Sequence, residues 1–171
     1  MAVKKTELYS SLWSSCDNLR GGMDASQYKD YVLTLLFMKY VSDKYASDPY
    51  GDIVVPQGGS FKDMVALKGD KEIGDRINKI IATFAEANGL QNLFIKSESD
   101  FNDEDKLGKG QEMVDRLSKL VGLFEGLDLS ANRAEGDDLL GDAYEYLMRH
   151  FATDSGRYCQ LNRLKDCLLR R

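Results

Sequence analysis

One stretch limits what this chain can become. Between Leu12 and Tyr45 it is more apolar and more aromatic than anywhere else. From Tyr28 onward, Tyr31, Val32, Leu33, Leu35, Leu36, Phe37, Met38, Tyr40 and Val41 follow almost without a break. A helix with apolar residues on nearly every side must be surrounded by protein. The rest of the chain then has to supply its covers. The sequence predicts a mainly α fold: a compact helical domain around a buried central helix at about 26–44, with at most short strands near 53–55. Thr34 and Lys39 interrupt the apolar run, which is too short to cross a bilayer.

The covers can be read in order. Thr6 is placed to cap a first helix, with Glu7 in its first turn. Leu8, Leu12, Cys16 and Leu19 form its stripe, and Gly21-Gly22 stops it. Asp24 or Ser26 caps the central helix. Ile53-Val54-Val55 is a β-branched run that Pro56 restricts to an edge strand or an extended connection. Ser60 caps a short helix with Phe61, Met64, Val65 and Leu67 turned inward. Ile73, Ile77, Ile80, Ile81 and Phe84 then fall at offsets of 0, 4, 7, 8 and 11. Met113, Leu117, Leu120, Val121 and Phe124 repeat those offsets, so two helices with matching stripes can pack as neighbours. Between them, Leu90, Leu93, Phe94 and Ile95 form a short apolar patch, and residues 97–105 read as an acidic surface loop. A last helix, capped by Asp137 or Asp138, turns Leu139, Leu140, Ala143, Tyr144, Leu147, Met148 and Phe151 inward.

Charge is unevenly spread. The 171 residues carry a net −5, yet residues 157–171 hold five basic residues against one acidic one. The first 156 residues are left with 18 basic and 27 acidic, a net −9. Phosphate-backbone binding depends on Lys and Arg, so such a body argues against strong non-specific binding to nucleic acid. The three cysteines (Cys16, Cys159 and Cys167) form no CxxC and suit a reducing compartment. The lysine-bearing N-terminus lacks an apolar signal region, so a cytoplasmic location is expected.

Candidate chemistry is sparse. An EF-hand loop begun at Asp100 places Asn102 and Glu104 at ligand positions. It puts Asp105 where glycine is required and Gln111 where glutamate is required. Asp138, Asp142 and Glu145 share a helix face, but acidic residues near a helix N-terminus already complement its dipole. His150, the one histidine, suits a helix C-terminus. Tyr28, Tyr31 and Tyr40 can stack bases, but aromatics in so apolar a helix read first as core. No phosphate-binding GxxxxGK[ST] occurs. The residues alone give no catalytic, cofactor-binding or metal-binding site. They describe a helical interaction domain, which leaves a free-standing protein-interaction adaptor as one reading.

Two ordered stretches go further. The first runs from Leu12-Trp13 through Asp17-Asn18-Leu19-Arg20-Gly21 and Tyr28-Lys29-Asp30-Tyr31-Val32-Leu33. It continues through Leu36-Phe37-Met38-Lys39-Tyr40-Val41-Ser42-Asp43. The second is Asp137-Asp138-Leu139-Leu140-Gly141-Asp142-Ala143-Tyr144-Glu145-Tyr146-Leu147, with Asn132-Arg133 before it and Phe151-Ala152 after it. Together they resemble the N-terminal domain of the modification subunit of type I restriction-modification systems, an adenine-N6 DNA methyltransferase. The resemblance spans about 6–156. It implies a helical recognition and assembly domain preceding a catalytic domain that binds S-adenosylmethionine. It implies as partners DNA and a specificity subunit, with a second methyltransferase subunit and the restriction subunit in the same complex, and no membrane. Candidate basic contacts are Lys4, Lys5 and Arg20.

The sequence also departs from that family. Arg157-Tyr158-Cys159-Gln160-Leu161 stands where a glycine-rich segment is expected, and no Asn-Pro-Pro-Tyr/Phe motif occurs. The first feature belongs to methyl-donor binding and the second to the extruded adenine. The expectation is a chain without the catalytic domain, silent in methyl transfer and holding no cofactor, with 157–171 an atypical basic tail left by truncation, frameshift or a vector.

Overall fold

The computed structural model describes residues 5–19, 25–46, 51–91, 99–129, 141–143 and 145–146. Its helices are α1 (Lys5–Leu19), α2 (Ala25–Tyr45), α3 (Phe61–Val65), α4 (Ile73–Ala87), α5 (Glu104–Leu107) and α6 (Gln111–Glu125). Residues 141–143 and 145–146 are also helical, and no strand occurs among the described residues.

The fold is built around α2. Every residue from Tyr31 to Met38 is buried, as are Val41 and Ser42. The helices α1, α3 and α6 pack against it. α4 reaches it through Phe84, whose ring meets that of Phe37 edge-on at 5.9 Å. On α1, Leu8, Leu12 and Cys16 are fully buried, as their spacing predicts.

The two matching stripes behave as expected. Every one of their side chains on α4 and α6 is buried, and the two helices pack together. Burying one such aliphatic side chain stabilises by about 1.5–3 kcal/mol, which makes these stripes a principal source of cohesion. α3 is short and is fixed by its start. The Ser60 hydroxyl accepts from the Asp63 N–H at 3.3 Å, and the Ser60 N–H donates to Asp63 Oδ2 at 2.9 Å. This reciprocal capping box satisfies donors that a helix start leaves open. Phe61 and Met64 are buried, whereas Val65 and Leu67 are only partly so.

Several local expectations change. α1 already includes Lys5, so Thr6 lies inside its first turn rather than capping it. Lysine is the better helix former, and the helix extends through it. Ser26 lies inside α2 for the same reason of position; Asp24, Gly21 and Gly22 fall outside the described residues. The β-branched run 53–55 is a connection rather than a strand, the second of the two forms expected of it. The side chain of Asn88 takes the place of a strand neighbour. Its Oδ1 accepts from the Val54 N–H at 2.8 Å, and its Nδ2 donates to the Val54 carbonyl at 2.7 Å.

The largest correction concerns the acidic segment. Within 97–105, Ser99 and Phe101 are buried, and Phe101 has no exposed surface at all. Asp103 then caps α5, its Oδ1 accepting from the N–H groups of Asp105 and Lys106. The polar composition of the segment conceals one aromatic anchor. Beyond α6, Leu127, Leu129 and Ala143 are buried, and Tyr146 packs on the core. Leu93, Phe94, Ile95, the expected caps Asp137 and Asp138, the inward positions Leu139, Leu140, Leu147, Met148 and Phe151, and the tail 157–171 lie outside the described residues.

Candidate interaction site

The last turns of α2 gather three parts of the chain. Lys39 and Asp43 stand one turn apart and form an ion pair at 2.9 Å, with side chains only 11% and 19% exposed. The Lys39 ammonium also lies over the Phe61 ring, 5.5 Å from its centre. Ser42 is buried, and its hydroxyl accepts from the Phe61 N–H at 2.7 Å. Asp43 Oδ2 accepts from the Leu129 N–H at 3.1 Å. Neighbouring residues of one helix thus hold the start of α3 and the segment that leaves α6. The next residue, Lys44, donates to the Tyr40 hydroxyl at 2.9 Å. Burial opposes its charge, but that bond, with the Tyr45 phenol nearby, holds its pKa above the ordinary lysine value.

A second set of polar contacts lies further toward the start of α2. The Tyr31 hydroxyl donates to the Asp100 carbonyl at 2.8 Å, and its ring meets Phe101 edge-on at 5.1 Å. Thr34 Oγ1 and Ser99 Oγ lie 3.3 Å apart. From α4, Asn78 Oδ1 accepts from the Phe101 N–H at 3.1 Å, and its Nδ2 donates to Asp100 Oδ1 at 2.7 Å. The backbone at Phe101 rests directly on Gly74, where no side chain stands. Segment 99–102 is therefore wedged between α2 and α4.

The third feature is aromatic. Tyr9 of α1 and Tyr146 stack with ring centres 4.4 Å apart and planes 6° from parallel. Burial raises the Tyr146 pKa, with Cys16 and Tyr9 adding to the effect. Trp13, one helical turn from Tyr9, is 42% exposed. This stack seats Tyr146 on α1.

Among the described residues, those considered for chemistry are not brought together into a metal site. Asp100 is engaged with Asn78 and with the Asn102 N–H, and Glu104 pairs with Lys109 at 3.6 Å. Asp105 is helical, which is incompatible with the sharp turn an EF-hand needs at that position. Among the described residues no group of three or more His, Cys, Asp or Glu can hold a metal ion. Asp142 is partly buried and Glu145 exposed; Asp138 and His150 lie outside the described residues. Tyr31 is a core residue, and Tyr40 is partly buried against the core. The side chains of Lys4, Lys5, Arg20 and Tyr28 are likewise outside the description. Sequence reasoning assigned no role to Ser42, Asp43 or Asn78. The available signal was polarity at the end of an otherwise apolar helix.

These contacts bind segments of one helical domain to one another. The chain belongs to the HsdM N-terminal domain family, whose model matches residues 8–124. It is 24% identical over 155 residues to the type I restriction enzyme StySJI methylase subunit of Salmonella typhimurium, covering 90% of this chain and 27% of that protein. It is also 24% identical over 204 residues to the type I restriction enzyme MpnII methylase subunit of Mycoplasma pneumoniae, covering 92% of this chain and 38% of that protein. The fold matches a crystal structure of the type I restriction-modification system methyltransferase subunit from Streptococcus thermophilus. That match has a TM-score of 0.70 and 26% identity, over 90% of this chain and 40% of the other. The chain therefore spans well under half the length of each of these proteins.

Proposed function

We propose that the chain acts as the N-terminal recognition and assembly domain of a type I DNA adenine-N6 methyltransferase subunit. In this reading it helps a cytoplasmic complex engage its specificity subunit and DNA. The observation that carries the reading is the family match over 8–124, supported by a shared fold along 90% of the chain. The acidic balance of residues 1–156 favours protein partners over the phosphate backbone as the main source of affinity.

S-adenosylmethionine belongs to the whole subunit in this reading. The described residues do not fit it: they contain no strand, and so no glycine-rich turn from strand to helix that would receive the donor. No methyl-transfer step is assigned to them. The test is co-purification with a tagged specificity subunit of the same restriction-modification system. The chain is expected to be retained, and to transfer no label from methyl donor to DNA by itself. Failure of the specificity subunit to retain the chain, when it does retain an intact methyltransferase subunit, would overturn the assembly role. Methylation by the chain alone would overturn the division of labour.

A further inference from the structure

We propose that Ser42 and Asp43 are positioning residues, a pair of independent latches by which the end of α2 sets the course of two other segments. A helix this apolar gains nothing from burying a hydroxyl and a carboxylate unless each has a partner. Ser42 is buried and accepts the Phe61 N–H at 2.7 Å. Asp43 is largely buried, is neutralised by Lys39 at 2.9 Å, and accepts the Leu129 N–H at 3.1 Å. Both donors are backbone groups, so the bonds fix where a chain runs rather than which side chain sits there. Phe61 opens α3. Leu129 lies just past α6, on the way to the residues that stack on α1 through Tyr146.

The two latches differ in kind. A bond to a carboxylate is stronger than a bond to a neutral hydroxyl. The Asp43 latch on the exit from α6 is therefore the stronger, and the Ser42 latch on the entry to α3 the weaker. Lys39 touches both sites, pairing with Asp43 while lying over the Phe61 ring, but neither latch bond runs through it. What the exit latch serves, a fixed direction for the chain that follows, rests on the assembly reading above. Its existence does not, because hydrogen exchange at Leu129 reads it in the chain itself. Specificity-subunit binding can fail without touching it.

The experiment is backbone amide hydrogen exchange, resolved by residue, on the whole chain. Asp43→Ala is expected to speed exchange at Leu129 by about ten-fold or more, since a bond to a charged acceptor is lost. The core amides of Ile77 and Leu117 should keep their protection. Asp43→Asn retains an acceptor oxygen and should restore most of the protection at Leu129. Ser42→Ala should speed exchange at Phe61 and leave Leu129 unchanged. Unchanged exchange at Leu129 in Asp43→Ala overturns the proposal, and so does equal acceleration at Leu129, Ile77 and Leu117. Should Asp43→Ala fail to fold, Ser42→Ala decides: acceleration at Leu129 matching that at Phe61 means one cooperative unit and no independent latches.

Discussion

Replacing Gly74 by alanine tests the wedge between α2 and α4. Gly74 is buried in the first turn of α4. A Cβ there would lie 2.3 Å from the Phe101 carbonyl oxygen, 3.0 Å from its carbon and 3.1 Å from Asn102 Cα. All three are backbone atoms, so no flexible side chain can swing aside. Ordinary contact begins at 3.4 Å, and segment 99–102 would have to retreat by about an ångström. That segment is held by the Tyr31 hydroxyl at 2.8 Å and by Asn78 at 3.1 Å. Losing one such bond removes about 1 kcal/mol, and stranding a buried hydroxyl adds about 1–3 kcal/mol. Helix propensity pulls the other way, favouring alanine by at most about 1 kcal/mol. The clash wins, and Gly74→Ala should lose about 1–3 kcal/mol in all. Gly122→Ala on α6 is the control, because nothing lies within 4 Å of its added Cβ. It should gain up to about 1 kcal/mol from propensity alone. In urea denaturation the midpoint falls for the first variant and rises for the second, with unchanged slopes. A Gly74→Ala protein as stable as the parent would refute the close approach.

Three further substitutions probe separate links. Phe101→Ala should cost about 3–5 kcal/mol, the loss expected of a core aromatic, and a loss below about 1 kcal/mol would return the acidic segment to the surface. Ser60→Ala removes the hydroxyl that caps α3 and should cost about 1 kcal/mol, seen as a lower urea midpoint; an unchanged midpoint would show the cap to be idle. Tyr31→Phe keeps the ring and deletes the bond to Asp100, for a loss of about 0.5–1.5 kcal/mol near neutral pH. Burial, reinforced by Asp103, Asp100 and Asp30, holds the Tyr31 hydroxyl above the ordinary tyrosine range. The unfolded chain then releases this proton first, so the contribution is complete below pH about 10 and is lost as pH rises beyond it. Stability should fall less steeply with alkali in Tyr31→Phe than in the parent, and parallel curves would count against the assignment.

Legibility in the sequence followed the reach of each interaction. The stripes of α4 and α6 were readable because helical periodicity is a local signal. The Ser60 box was readable for the same reason, since its partner Asp63 is three residues away. The acidic segment was misread because its composition is polar and its one anchor, Phe101, meets Tyr31 far back in the chain. Spacing left the run 53–55 open between an edge strand and a connection, because Asn88, which holds the Val54 N–H and carbonyl, lies 34 residues on. The α2 junction lay inside the stretch that carried the family resemblance, yet its partners Phe61 and Leu129 could not be inferred from spacing. Local patterns name helices and their buried faces; they do not say which loop a buried polar side chain will hold.

That distinction gives α2 two kinds of work. Its apolar residues supply non-directional stabilisation, which any well-shaped cover would satisfy. Four of its polar residues are directional toward partners remote in sequence: Ser99 for Thr34 at a separation of 65, Asp100 for Tyr31 at 69, Phe61 for Ser42 at 19 and Leu129 for Asp43 at 86. A buried polar group left without its partner is costly, so each pairing selects one course for its loop over the alternatives. Large-to-small changes among the apolar residues should therefore weaken the whole domain, whereas changes at Thr34, Ser42 and Asp43 should act first on the segments they hold. The proposed assembly role would draw on both properties, because a partner recognises the placement of loops and not the stability of the core beneath them.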